Sequence, residues 1–185
     1  MELTPQDFNR KSIRLKDYNY STAGNYFITI VVNERKHLLG LMANERVLLN
    51  DAGRMVEDYL KRIPQIHTNA SVTDHVIMPN HIHLILHLDG DLNHETGNHV
   101  FEVMRRMKSQ TTLQYMHGVR EHHWQPFHRH LWQRNYFEHI IRNQRSFDYI
   151  RGYIIDNPKR WKYDSLNSEH TEQVDNIMSA ITMLT

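Results

Sequence analysis

The sequence predicts an α+β domain, a mainly antiparallel sheet with helices packed on it. Three observations carry the prediction. The chain has 185 residues, 39% of them hydrophobic, enough for one sizeable core but cramped for two. Segments of strand and helix character follow one another in the order strand, strand, helix, strand, strand, helix, strand, helix. Two of the extended runs meet at Pro79-Asn80, whose turn chemistry pairs them antiparallel.

The first strand is Tyr26 to Val32 (YFITIVV), rich in β-branched and aromatic residues, and Arg46 to Leu49 reads as a shorter strand that suggests a hairpin with it. Asn50 or Asp51 can cap a helix running to about Arg62, because Met55, Val56, Tyr59 and Leu60 recur at helical spacing and Pro64 lies just beyond. Ser71 to Met78 and His81 to Leu88 are the runs joined by Pro79-Asn80. His99 to His117 should form a second helix, with Val100, Val103, Met104, Met107, Leu113 and Met116 at roughly helical intervals. Residues 118–130 (GVREHHWQPFHRH) lack periodicity and read as a loop leading to Leu131 to Tyr136, an expected edge strand. From Gln144 to Asp156 the helical period returns. Phe147, Ile150 and Ile154 make one stripe, Tyr149, Tyr153 and Asn157 the next, and Pro158 should end the helix. Residues 164–185 read as an appended polar segment with a short terminal helix, which leaves 1–163 as the domain.

The chain has no cysteine, which excludes disulfides and thiolate zinc sites and fits a reducing, cytoplasmic setting. Any metal must sit on His, carboxylate, amide or water. No N-terminal apolar stretch resembles a signal peptide and no run approaches bilayer length, so a soluble protein without a membrane partner is expected. With Lys+Arg 22 against Asp+Glu 21, the formal charge is only +1 and does not announce a nucleic-acid binder. Distribution says more than the sum. Arg105, Arg106, Lys108, Arg134, Arg142 and Lys159 are interleaved with Trp132, Tyr136, Tyr149 and Trp161, a composition suited to phosphates and bases of single strands, though solvated helix faces have the same look. Of the 15 histidines, His122, His123, His128 and His130 are expected at the surface or in loops.

Side chains at i and i+2 of a strand share a face about 7 Å apart, while the residue between them faces the other way. His81-Ile82-His83 therefore aims two imidazoles at one point. Ile82, Leu84 and Leu86 form the core-facing row that fixes which side the histidines occupy. Two imidazoles completed by oxygen ligands suit Mn²⁺, Mg²⁺ or Zn²⁺. A polar strand face on which two histidines alternate is the other reading, and spacing alone favours neither. Tyr153 and Asn157 are i and i+4 on a helix, one above the other. If that face covers the sheet near His81, Asn157 can be the third ligand, with Tyr153 standing over the ion.

The runs HVIMPNHIHLIL from His75 to Leu86, LWQRNYFEHIIRN from Leu131 to Asn143, and YIIDNP from Tyr153 to Pro158 resemble the single-tyrosine HUH transposases, and most closely their REP-associated tyrosine transposase branch. The resemblance spans most of residues 20–163. It implies a ferredoxin-like or RRM-like sheet with the metal pair on a central strand. It implies a divalent metal ion, Mg²⁺ or Mn²⁺, on His81, His83 and Asn157, with Tyr153 as the nucleophile. It implies single-stranded DNA as substrate, specifically imperfect palindromic hairpins such as repetitive extragenic palindromes. Glu138 and His139 match a recurrent acidic-His pair of that family with no assigned role. Monomer and homodimer both remain open.

The chemistry explains the residue types. A phosphodiester is anionic and repels nucleophiles, so a Lewis acid is needed at the scissile phosphate. A phenol has a pKa of about 10 and must lose its proton during attack. The covalent product, a 5′-phosphotyrosine, conserves the phosphodiester, so a 3′-OH can reverse the step and rejoin DNA. Activated water could not do this. Two other function classes stay in view: a catalytically silent RRM-like nucleic-acid-binding module, and a small-substrate metallohydrolase, which would need a further carboxylate such as Glu138.

Overall fold

The computed structural model of the protein describes residues 23–90 and 99–167; of the appended segment 164–185 only 164–167 are among them, and the short terminal helix expected there lies outside the described residues. The elements are β1 (Gly24–Val31), β2 (Gly40–Ala43), β3 (Arg46–Leu49), α1 (Asp51–Lys61), α2 (Ile63–Ile66), β4 (Ala70–Ile77), β5 (His81–Leu88), α3 (His99–His122), β6 (Phe137–Ile141) and α4 (Gln144–Arg160). A four-stranded sheet runs in the order β4-β5-β1-β6, with every neighbouring pair antiparallel. With α1 leading from β1 to β4 and α3 from β5 to β6, this is the β-α-β-β-α-β ferredoxin-like arrangement expected, carrying the β2–β3 hairpin as an insertion.

The sheet is covered on both faces. On one, Ile28, Ile30, Ile82, Leu84, Leu86 and Leu88 pack with Val56, Tyr59 and Leu60 of α1 and Val103, Met104 and Met107 of α3. On the other, Phe27, Ile85 and Ile141 pack against Ile150 and Ile154 of α4. This double cover sets the register of β5. Ile82, Leu84 and Leu86 are all 0% exposed, and burying each contributes about 2 kcal/mol. A one-residue slip would exchange them for His81 and His83, placing polar rings in the apolar layer. The imidazoles therefore face α4.

Several boundaries differ from the sequence expectation. Arg46–Leu49 pairs with Gly40–Ala43 in a separate two-stranded sheet and not with β1. Its turn is Asn44-Glu45, with φ of +48° and +57°, the paired left-handed conformation that suits a two-residue hairpin. The second helix runs to His122, past Gly118, which had read as a stop. The Trp124 ring packs so closely there that an added Cβ would lie 2.3 Å from it, so the glycine serves packing and not termination. The edge strand is Phe137–Ile141, whereas Leu131 and Trp132 are buried and contribute only an isolated bridge from Trp132 to Val32. Pro158 lies inside the last turn of α4, which continues to Arg160; near a helix end the missing N–H costs one bond and breaks nothing downstream. No helix among the described residues is long and apolar enough to cross a membrane.

Candidate active site

His81 and His83 lie on β5, 0% and 3% exposed, with ring centroids 4.6 Å apart. Each ring is held by its Nδ1. The His81 Nδ1–H donates to Asn80 Oδ1 at 2.8 Å, and His83 Nδ1 shares a hydrogen bond of 2.7 Å with the Thr29 hydroxyl. The Asn80 oxygen can only accept, which puts the His81 proton on Nδ1, and with Nδ1 of each ring engaged both Nε2 atoms face the interior of the site, the arrangement typical of histidine ligands. Phe27 stacks on His83 and Trp161 on His81, so neither ring is free to rotate.

Helix α4 supplies the second half. Asn143 caps it, Oδ1 accepting from Ser146 N–H at 2.8 Å, and Ile150 and Ile154 seat it on the sheet. Tyr153, one position from Ile154, then lies over β5 with its hydroxyl 3.2 Å from His83 Nε2. With the His83 proton on Nδ1, that nitrogen has one lone pair and can accept from the Tyr153 hydroxyl or hold a cation, not both. Asn157, one turn on, is 1% exposed and its Oδ1 has no hydrogen-bond partner. Beyond α4, Asp164 is 9% exposed and sets its Oδ2 3.6 Å from His81 Nε2. Both atoms are buried without a hydrogen-bond partner. His81, His83 and Asp164 each offer a ligand atom, all within 4.8 Å of one another. Buried acceptors converging with no donor between them fit a bound cation.

Burial governs the proton affinities. It drives His83 down to about 3 and His81 well below its ordinary value, with His83 and His37 adding to the His81 shift. Burial also raises Asp164 above the usual carboxylate range, against the Leu166 N–H bond, the nearby Asn157 side chain and the charge of Arg35. Tyr153 is raised above an ordinary phenol, first by burial and then by Asp164, while Asn157 and Arg160 favour its ionised form.

A pH dependence of stability follows for the metal-free protein. Both histidines bind a proton more weakly folded than unfolded, so the unfolded state takes up more protons as pH falls below about 6.5. Stability should drop from there toward the folded value of about 3 for His83, by up to about 1.4 kcal/mol per pH unit and group, partly offset by Asp164. Urea midpoints between pH 7 and pH 5 should decline, and less steeply in His83→Gln. A flat wild-type profile would contradict neutral burial of the pair.

The six basic residues do not gather at this site. Arg105, Arg106 and Lys108 are on α3, across the sheet from Tyr153. Arg105 pairs with Glu102. Lys108 donates to the carbonyls of Gln133 and Arg134 at 2.6 and 2.9 Å, and burial lowers it to about 8. Arg134 is exposed in the segment before β6. Arg142 precedes α4 and Lys159 sits in its last turn, so about 25 Å of helix separates them. Glu138 pairs with Ile28 and so faces α1 and α3, whereas His139 pairs with Phe27 on the α4 face.

Sequence reasoning passed over Thr29, Asn80 and Asp164. Asn80 had a visible signal, since it directly precedes the histidine pair, but was read only as a turn residue. Asp164 lies seven positions beyond Asn157, past the helix, and no periodicity connects the two.

A sequence profile of the IS200-like transposases matches residues 21–157. An uncharacterised protein of Haemophilus influenzae is 36% identical, over 85% of this chain and 93% of its own. The structure of a REP-associated tyrosine transposase bound to a REP hairpin is similar in fold, with a TM-score of 0.57 and 19% identity over 85% of this chain and 79% of that one. The chain matches the family profile over most of its length, including β5 and the Tyr153 to Asn157 turn of α4, and it belongs to the IS200-like transposase family.

Proposed function

We propose that this transposase is of the REP-associated type, cutting and rejoining single-stranded hairpin DNA through a 5′-phosphotyrosine on Tyr153, with a divalent ion on His81, His83 and Asn157. The observation that carries the proposal is the 3.2 Å contact between the Tyr153 hydroxyl and His83 Nε2, in a pocket of unpartnered buried acceptors. When bound, a divalent cation supplies Lewis-acid charge neutralisation at the scissile phosphate.

The protein's residues supply the rest. Asn80 and Thr29 hold the imidazoles with Nε2 inward. Asn157 and Arg160 stabilise the phenolate that burial disfavours. The Tyr153 oxygen bonds to phosphorus, the bond from phosphorus to the 3′ oxygen breaks, and the phenol proton ends on that oxygen as a 3′-OH. The reverse step reseals the strand. Arg142 and Lys159 lie at opposite ends of the helix that carries Tyr153, Lys159 paired to Asp156 at 2.8 Å, and are assigned to phosphates on either side of the cut. Arg105, Arg106 and Arg134 reach only DNA that extends round to other faces, as the stem of a hairpin would, whereas Lys108 is bonded to the Gln133 and Arg134 carbonyls. Asp164 provides the carboxylate that a metallohydrolase would need, but that reading gives Tyr153 no part.

The test is an adduct assay. Palindromic single-stranded DNA with a short unpaired flank, incubated with Mn²⁺ or Mg²⁺, should give an SDS-resistant protein–DNA species that chelator abolishes. Hairpin binding indifferent to chelator, with no adduct, would mark a silent binding module instead.

A further inference from the structure

We infer that Asp164 is a direct, anionic ligand of the same metal centre, and that the turn from Trp161 to Asn167 is a structural part of that centre. The inference rests on the metal-dependent reading above and extends it to a residue outside the 21–157 family match.

Two observations carry it. The first is the pair of acceptors. His81 Nδ1–H donates a hydrogen bond to Asn80 Oδ1, so Nε2 presents a lone pair, and what it meets 3.6 Å away is Asp164 Oδ2. The separation is too long for a hydrogen bond, and neither atom has another partner. Two lone pairs facing each other in a buried pocket repel unless a positive charge lies between them. Neighbouring ligands at ~2.1 Å from an ion stand about 3.0 to 3.4 Å apart, so the observed spacing needs only a small adjustment to close on one.

The second is that the position of Asp164 is built by contacts independent of any ion. Its Oδ1 accepts from the Leu166 N–H at 2.7 Å, which fixes the carboxylate and turns Oδ2 inward. Asn80 Nδ2 donates to Leu166 O at 2.8 Å while its Oδ1 holds His81, so one side chain ties the turn to the histidine strand. Arg35 donates to Ser165 O at 3.1 Å, and Asn167 Nδ2 donates to Trp161 O at 3.1 Å, keeping the indole stacked on His81. The Asp164 side chain is 7% exposed, which a solvated surface carboxylate would not be. An anionic oxygen beside two neutral imidazoles raises affinity for a hard divalent ion, the usual effect of ligand charge.

Mn²⁺ affinity of the DNA-free full chain, measured by calorimetry and by the EPR signal of unbound Mn²⁺, separates the possibilities. The wild-type chain should bind one ion, and Asp164→Asn, close to isosteric and so not prone to misfolding, should bind at least about tenfold more weakly. Asp164→Ala should be weaker still, and Asp74→Asn, a carboxylate paired to Arg151 outside the site, should bind as wild type. Wild-type affinity in both Asp164 variants overturns the inference and leaves the metal-dependent reading intact. No Mn²⁺ binding by the wild-type chain removes that reading and the inference with it.

Discussion

Tyr153→Phe is expected to abolish the covalent adduct and to lower cleavage of hairpin DNA by at least about a thousandfold, the scale on which losing a nucleophile acts. The substitution deletes one oxygen. The ring remains, so its edge contacts with Phe27 and His83 persist and α4 should stay seated on the sheet. Removing the hydroxyl also removes a buried polar group raised in pKa by its surroundings, so the folded protein should lose no more than about 1 kcal/mol, read as a small shift in urea midpoint. Mn²⁺ affinity should hold or rise, because the phenol no longer occupies the His83 Nε2 lone pair. Denaturing gels, urea midpoints and calorimetry on one preparation check all three outcomes. Adduct formation by the phenylalanine variant would take the nucleophilic role from Tyr153.

His81→Ala carries the second large effect, and it acts on the ion and the fold together. It removes one ligand nitrogen and leaves Asn80 Oδ1 buried without its donor, which costs about 1 to 3 kcal/mol in stability. Adduct formation at micromolar Mn²⁺ should fall by about a hundredfold or more and recover in part at millimolar Mn²⁺, as expected when a ligand is lost and the nucleophile kept. Rates that do not respond to Mn²⁺ concentration in either protein would separate His81 from metal binding.

The parts of the fold legible in the sequence are those where local pattern and tertiary burial agree. β5 is readable because its alternation assigns Ile82 and Leu84 to one face and His81 and His83 to the other, and the Pro79-Asn80 turn closes it against β4. α1 is readable because Asn50 caps it, with Oδ1 accepting from Gly53 N–H at 2.9 Å, and its apolar residues keep a single stripe. The misread segments are those where a local signal served a tertiary purpose. Gly118 looked like a helix stop and is a seat for Trp124. Leu131 and Trp132 looked like strand residues because they are apolar, yet they plug the core, with the Trp132 indole N–H donating to Thr111 at 2.9 Å. Within the site, Tyr153 and Asn157 share a helix face, so their spacing predicts proximity. Asp164 does not, because only the 3-10 turn after α4 brings it back over β5.

Peptide mapping identifies the residue whose oxygen bonds to DNA. The adduct made with hairpin DNA and Mn²⁺ is digested with nuclease and protease, and the residue bearing the nucleotide is located by tandem mass spectrometry. The expected product is a 5′-linked nucleotide on Tyr153. A nucleotide on Tyr149, Tyr163 or any other residue, or cleavage that leaves no protein-bound nucleotide, would contradict it.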